Sequence, residues 1–437
     1  MINSGDKKKI LMLAHYYFPD VASTGQIMKD LAEGMREEFE VTVICTVPSY
    51  NGSIDEKYKK QKYYFESING VNVIRVNVPP FQKDNRASRI RNISVYFFRA
   101  LKAIRQAGDQ DYIFALSQPP ILGGLLGKRA KKIKKAKLIY CIQDFNPEQI
   151  ITVGYLTNTL LLKFLMKLDR SSCRHSDLVI TVGQDLVETL KGRFQNKDVP
   201  HHVMINNWID QTEVYPLQSD DENVTAFKEK YGLTDKFVFM YSGNIGLYYD
   251  LENLIRVIKR FRRGYTQKGE YIDGTTTRDG REVVFAFVGD GSVLNKLKQY
   301  TERHQIENIV FIPYQKKEDL IYSLNAGDVH LCVNAKGIKG VSCPSKAYGI
   351  MAAGKPVLAV LEDGTEIRSI IDRADCGICS APEDYETLAD NIQWYIDHAG
   401  TGEVKKMGEN GRKYLNTHLT KEQSIKKYCD EILKLGK

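Results

Sequence analysis

Apolar residues recur along this chain in two patterns that alternate. Short runs rich in β-branched and aromatic residues predict buried strands near 9–17 (KILMLAHYY), 40–47, 71–78, 111–116, 137–142, 177–182 and 202–206. Between them, apolar residues spaced three and four apart predict helices near 23–38, 88–106, 120–135, 158–173 and 184–194. In the first helix Ile27, Leu31 and Met35 form one stripe, and Ser23 or Thr24 is placed to cap it. The alternation then restarts, with strands near 236–241, 283–288, 308–312, 328–333, 356–360 and 376–379 and helices between them. Such alternation implies parallel sheets covered on both faces. Two sets, joined by the polar stretch 207–222, predict an α/β chain with two doubly wound Rossmann-like domains facing a cleft. The expected division is 1–210 and 211–420, with a last amphipathic helix over 421–437 packing back on the first domain. The Gly/Thr-rich segment 265–281 is expected to be a surface insertion loop.

Size and charge sharpen this picture. A chain of 437 residues suits two domains of roughly 200 residues. No run reaches the ~18 apolar residues of a membrane span. The opening MINSGDKKKI lacks an apolar signal region, so a cytoplasmic location is expected. The eight cysteines are scattered apart from the CGIC pair at Cys376 and Cys379, which has no second pair or His partner and is a poor zinc site. The net charge of +8 is uneven: residues 128–137 (KRAKKIKKAK) hold seven cations, and Arg86, Arg89, Arg91, Arg99, Lys102 and Arg105 form a second basic stretch. Lys128, Arg129, Lys131, Lys132 and Lys135 flank Leu122, Leu126 and Ile133 on one predicted helical side. With the aromatics of 94–105 and the apolar run 158–168, this points to an anionic membrane surface; a solvated charged face is the alternative. No nucleic-acid motif accompanies the charge.

Ligands of doubly wound sheets bind outside the carboxyl ends of the strands, so the strand-to-helix turns carry the candidate chemistry. Gly25 lies in the first such turn (18–26) and offers no side chain to block a close approach. YSGNIG (241–246) supplies Gly243, Asn244 and Gly246, and VGDGS (288–292) supplies Gly289. CPSKAYGIMAAGKP (343–356) places Pro344 and Ser345 at a helix start and Lys346 in its first turn, where a cation opposes the helix dipole by about 0.3–1 kcal/mol. A bound anion removes that cost. Amide groups and one ammonium at this point would stabilise the charge that builds on a departing diphosphate, with no metal required. SQPP (117–120) and CIQDFNPE (141–148) also follow strands. There Asp144 and Glu148 are candidates to orient or deprotonate an acceptor hydroxyl, and an Asp that merely caps the next helix is the alternative.

At these residues the chain resembles glycosyltransferase family 4, the retaining GT-B enzymes, and most of all the subgroup that builds colanic acid, O-antigen, lipopolysaccharide and capsular polysaccharides, fucosamine transferases included. YYFPDVASTGQ, SQPPILGGLLG, CIQDFNPE, NNWID, YSGNIG, FVGDGS, IPYQKKEDL and PSKAYGIMAAGKPVLA carry the resemblance, in the family's order. It implies a metal-independent hexosyltransferase without cofactor, taking a UDP- or GDP-sugar held mainly by the second domain. The base would lie near Pro313 and Tyr314, and the diphosphate by Gly243, Asn244, Gly289, Ser345 and Lys346, with Gly25 reaching across the cleft. Asp144 stands at the family's catalytic polar position. A donor phosphate oxygen would act as base, and the acceptor would be a glycan or polyprenyl-linked sugar at the inner face of the plasma membrane. Two departures stand out. The family's two glutamates are replaced by Val341 and Gly349, so Glu362 or Glu366 would have to hold the ribose, and Gly349 would admit close approach of a ligand. The cation often found beyond YSGNIG is replaced by LYYD (247–250). A non-catalytic scaffold and a nucleotide-sugar epimerase are the competing readings. The epimerase needs a His among carboxylates, whereas His15 and His330 are expected in the core.

Overall fold

The computed structural model describes residues 7–20, 23–49, 52–82, 85–152, 154, 158–265 and 271–436. The opening residues 1–6, the Ser23 side chain and 266–270 of the expected loop lie outside the described residues. The chain divides into two compact units: residues 1–207 with 340–342 and 421–437, and residues 208–339 with 343–420. Residues 340–342, expected in the second domain, therefore join the first. The Val341 carbonyl accepts the Phe145 amide at 2.8 Å, and Asp144 and Ser342 form an antiparallel bridge.

The first unit runs β1 (Lys8–Leu13), α1 (Ser23–Gly34), β2 (Phe39–Thr46), β3 (Tyr63–Ile68), β4 (Val71–Val76), α2 (Arg86–Gln106), β5 (Tyr112–Leu116), α3 (Leu122–Lys134), β6 (Lys137–Ile142), α4 (Glu148–Thr152), α5 (Thr159–His175), β7 (Leu178–Thr181), α6 (Gln184–Arg193) and β8 (His202–Met204). The sheet order is β3-β4-β2-β1-β5-β6-β7-β8, parallel except for the β3–β4 pair. Strands β1, β5 and β6 are buried almost throughout, because helices cover both sheet faces; this is why they read as unbroken apolar runs. Strand β3 escaped the sequence pattern because it is an edge strand with Glu66 and Ser67 in its middle. Glu66 there pairs with the buried Arg75 of β4. Helix α3 sits tightly on the sheet through glycines: a Cβ at Gly127 would lie 2.6 Å from that of Ala115, and one at Gly123 would lie 2.1 Å from the Leu116 carbonyl oxygen.

The second unit runs α7 (Glu222–Lys230), β9 (Lys236–Ser242), α8 (Leu251–Ile258), β10 (Gly264–Tyr265), β11 (Tyr271–Ile272), β12 (Glu282–Val288), α9 (Leu294–Arg303), β13 (Ile309–Ile312), α10 (Leu320–Ala326), β14 (Val329–Val333), α11 (Lys346–Ala352), β15 (Val357–Val360), α12 (Glu366–Ala374), β16 (Gly377–Ser380), α13 (Tyr385–Asp397) and α14 (Gly402–His418). Its six-stranded sheet, β13-β12-β9-β14-β15-β16, is parallel throughout. The two-residue ribbon β10–β11 and the buried Thr277 give structure to what reads as a loop. Helix α15 (Lys421–Leu433) returns to the first unit, where Ile425 packs on Gly34 and the Tyr428 hydroxyl lies 3.6 Å from the Cys141 sulfur. None of the eight cysteines forms a disulfide.

Strand order reverses twice in ways that matter for function. In the first unit the chain leaves β1 toward β2 and later returns to β5 on the other side. In the second it leaves β9 toward β12 and returns to β14. Helices that diverge to opposite faces at such points leave a crevice at the carboxyl ends of the two strands.

Candidate active site

In the second unit that crevice lies between β9 and β14. The turn after β9 holds Gly243, and α11, which follows β14, begins with Lys346. Gly243 has φ +139°, and a Cβ there would stand 2.7 Å from the Lys346 Cε. Glycine is thus required both by the backbone and by the lysine packed against it. Gly289 is required for a different reason: a Cβ would lie 2.0 Å from the Gly243 carbonyl oxygen. The two strand-end turns are laced together by Gly243 N donating to Val288 O and Ile245 N to Asp290 O, each at 2.9 Å. Asn244 is exposed on the outside of this turn, while its carbonyl accepts the Tyr241 hydroxyl at 2.6 Å. Pro313 and Tyr314 follow β13 on the same sheet edge, and the Tyr314 ring is 56% exposed.

Lys346 is the unusual group. Its side chain is partly exposed as a whole, but the ammonium lies over the Tyr249 ring at 3.5 Å from the centroid and 5.0 Å from that of Tyr241. Among the described residues no carboxylate pairs with it. Desolvation lowers its pKa from 10.5 to about 8, and the buried Cys332 thiol opposes that shift. A cation held in an apolar recess without a counter-ion is poised to gain from any anion that arrives. Ser345 occupies the N-cap position but makes no side-chain capping bond, and α11 has only seven residues, so the ammonium rather than the helix start carries the electrostatics.

Three residues expected at this site have neighbours within the fold. Gly349 does not face a ligand: it is buried, and a Cβ there would meet Ile209 and Leu324 side chains at 3.4 Å. Gly349→Ala is therefore expected to change stability by less than about 1 kcal/mol and to leave the donor KM unaltered; a several-fold rise in that KM would put a ligand at the position. Glu366 is buried at the start of α12 and pairs with Arg373 at 3.4 Å. Glu362 accepts the Gly337 and Lys339 amides at 2.9 Å each and so ties down its own loop.

In the first unit the residues after β1, β5 and β6 are joined by side chains. The Thr24 hydroxyl donates to Gln118 at 3.2 Å, and the Gln118 amide approaches the Asp144 carboxylate at 3.4 Å. Ser117 accepts the Gln143 amide, and Asn207 donates to the Gln143 side chain at 2.7 Å. Burial raises the Asp144 pKa, while hydrogen bonds from Ser342, Gln118 and Gln149 oppose the rise. A Cβ on Gly25 would find neighbours no closer than 3.5 Å and the backbone there is unstrained, so the fold itself does not demand glycine. Glu148 is not available to an acceptor, because Arg193 takes both its oxygens and also binds Asp169 and the Asn146 carbonyl. His15 is buried between Tyr16 and Tyr96 with its pKa lowered to about 4 by desolvation. His330 is buried with Nε2 2.8 Å from the Leu324 carbonyl oxygen. Thr24 is expected from sequence only as a helix cap, and Ser117 and Gln118 only as members of the strand-end turn SQPP; Arg193 is not distinguished by anything local.

The cations expected at a membrane face divide into paired and exposed ones. Leu126 of α3 is in the core, Lys128 donates to Ser171, and Lys131 binds Asp177 and the His175 carbonyl. Arg129, Lys132 and Lys135 remain exposed, as does Arg91 on α2. Apolar exposure is concentrated instead at the start of α5, where Leu160 is 78% and Phe164 55% exposed beside Leu161, Lys163 and Lys167. Among the described residues no helix is long and apolar enough to cross a membrane.

Comparison with known proteins matches the two halves separately. A "Glycosyl transferase 4-like domain" family model covers residues 24–208, and the "Glycosyl transferases group 1" model covers 223–414. The chain is 25% identical to the probable glycosyltransferase WbjE of Pseudomonas aeruginosa, over 96% of each chain. It is 23% identical to the putative colanic acid biosynthesis glycosyl transferase WcaI of Escherichia coli K12, over 97% of this chain and 99% of that one. Among solved structures, Anabaena HepE in complex with UDP and glucose superposes with a TM-score of 0.67 at 15% identity, over 98% of this chain and all of that one.

Proposed function

Because the chain belongs to the family 4 glycosyltransferases, we propose that it moves a hexose from a UDP- or GDP-sugar to a glycan or polyprenyl-linked acceptor during synthesis of a cell-surface polysaccharide. The observation that carries this reading is the desolvated Lys346 ammonium against Gly243 at the β9/β14 switch point. When the bond from anomeric carbon to phosphate breaks, negative charge accumulates on the diphosphate. An ammonium already stripped of water and counter-ion stabilises that charge more than the ground state, at no cost of reorganisation. Lys346 takes this role with no metal, and the turn 243–246, whose Gly243 and Ile245 amides already donate to Val288 and Asp290, borders the phosphates. Tyr314, exposed after β13, offers a ring on which the base stacks.

The first unit presents the acceptor. Asp144, held by Gln118 and partly desolvated, orients the acceptor hydroxyl, and a donor phosphate oxygen removes its proton, so the anomeric configuration is retained. The exposed Leu160, Leu161 and Phe164 with Lys163 and Lys167 rest on the anionic inner membrane surface, where a polyprenyl-linked acceptor resides. Serine at the three apolar positions is expected to weaken flotation with anionic vesicles at least ~10-fold.

The decisive experiment incubates the protein with a panel of UDP- and GDP-sugars and follows thermal shift, donor hydrolysis and transfer. One nucleotide series should stabilise the protein, and Asp144→Asn should lower kcat by ~10²-fold or more with little change in that shift. No response to any nucleotide diphosphate would defeat the proposal. Binding without turnover would favour the scaffold, and an epimerised donor in the absence of acceptor would favour the epimerase.

A further inference from the structure

The Lys346 ammonium rests on an aromatic face supplied by the run LYYD (247–250), which holds no cation of its own. Tyr249 ends a short turn (Leu247–Tyr249) directly after YSGNIG. Its ring stands edge-on to Tyr241, with centroids 6.1 Å apart, so two aromatic rings floor the same recess. The backbone on either side of Tyr249 is pinned. The Tyr248 carbonyl accepts the Ala335 amide at 2.8 Å, and Asp250, at φ +49°, accepts the Tyr385 hydroxyl at 3.0 Å and the Asn253 amide at 2.8 Å. The ring face is therefore held at one height beneath the ammonium, 3.5 Å from centroid to Nζ.

We propose that Tyr249 is the positioning residue of the donor site: its ring face holds Lys346 charged and aimed at the end of β9 before any nucleotide is present. This rests on the reading of Lys346 as the diphosphate partner. Without a carboxylate neighbour, a lysine in this recess would either lose its proton or swing out to water; the ring's negative face offers a third option that leaves the ammonium's outer side open to phosphate. A carboxylate partner would have neutralised it and competed with the donor, and a second cation would have repelled it. The ionisable groups that face the ammonium are the Tyr241 and Tyr249 phenols and the Cys332 thiol. Burial pushes the Tyr241 phenol far up and the Cys332 thiol up to about 11, so both are neutral when Lys346 titrates.

The test compares Tyr249→Phe, which keeps the ring, with Tyr249→Leu, which keeps only apolar volume; Tyr249→Met stands in if the leucine variant does not fold. UDP affinity and donor KM are measured from pH 6 to 9.5. The Phe variant should match the parent. The Leu variant should show the alkaline limb of UDP binding moved down by about one pH unit, so that it binds about twofold more weakly at pH 7 and ~10-fold more weakly at pH 9, since a desolvated cation–π contact is worth about that much. Leu and Phe variants with the same affinity and the same limb would overturn the assignment. If Lys346→Ala itself leaves UDP binding and transfer intact, the underlying reading of the site fails instead, and the two failures are told apart.

Discussion

Lys346→Met is expected to cut transfer by orders of magnitude and, at the same time, to raise the melting temperature of the ligand-free protein. The folded chain holds this lysine with a pKa near 8, against 10.5 in the unfolded chain. Between those values the unfolded state binds more protons, so folding is penalised by the ammonium most fully below pH 8, and the penalty fades as pH rises toward 10.5. Methionine fills the same recess without the charge. At pH 7 the variant should gain about 2 kcal/mol, and at pH 10 much less. For transfer, losing the one ammonium at the departing diphosphate should lower kcat/KM by ~10²–10³-fold. Thermal denaturation at both pH values, together with donor turnover, checks the pair. A variant that is less stable at pH 7, or one that transfers at the parent's rate, would remove Lys346 from the role given to it.

Arg193→Met is expected to cost the first unit about 3–5 kcal/mol, because it strands two carboxylates that the arginine alone neutralises. Arg193 is almost fully buried, stacks on the Phe145 ring and binds Asp169, Glu148 and the Asn146 carbonyl. Asp169 is buried too, accepts the Tyr140 hydroxyl at 2.6 Å, and already has a raised pKa from desolvation in the presence of its partner. Without Arg193 that pKa rises further. The variant then takes up protons on folding, so its deficit should shrink as pH falls through the weakly acid range. Urea denaturation at pH 8 and pH 5.5 reads this directly. The double variant with Asp169→Asn should recover part of the loss, whereas strict additivity would show that the two groups are not coupled. The same substitution frees the loop 144–148, so acceptor KM should rise in whatever folded protein remains.

The turns that form the candidate site were legible because turn chemistry is local. Gly243 and Gly289 follow apolar strands that could be read directly, and their glycines are required by positive φ and close backbone packing. Lys346 stood out because a cation in a first helical turn is unfavourable by itself. Glu148 was misjudged because its partner lies 45 residues away in α6. Gly349 was misjudged because its neighbours, Ile209 and Leu324, come from other segments.

The alternation of apolar runs and helical stripes was enough, by itself, to determine two α/β units with mainly parallel sheets and the strand-end loops between their elements, since unbroken apolar runs mark strands buried on both faces and a 3.6-residue repeat marks the helices that cover them. That the run LYYD after YSGNIG holds no cation is likewise visible in the sequence alone. Only the tertiary structure decided which charges are stripped of water and which are paired: that Lys346 rests on Tyr249, that Arg193 claims Glu148, and that α3 turns its glycines inward while α5 shows its leucines outward. Burial and pairing depend on segments brought together from distant parts of the chain, and the local spacing of residues does not encode which segment arrives.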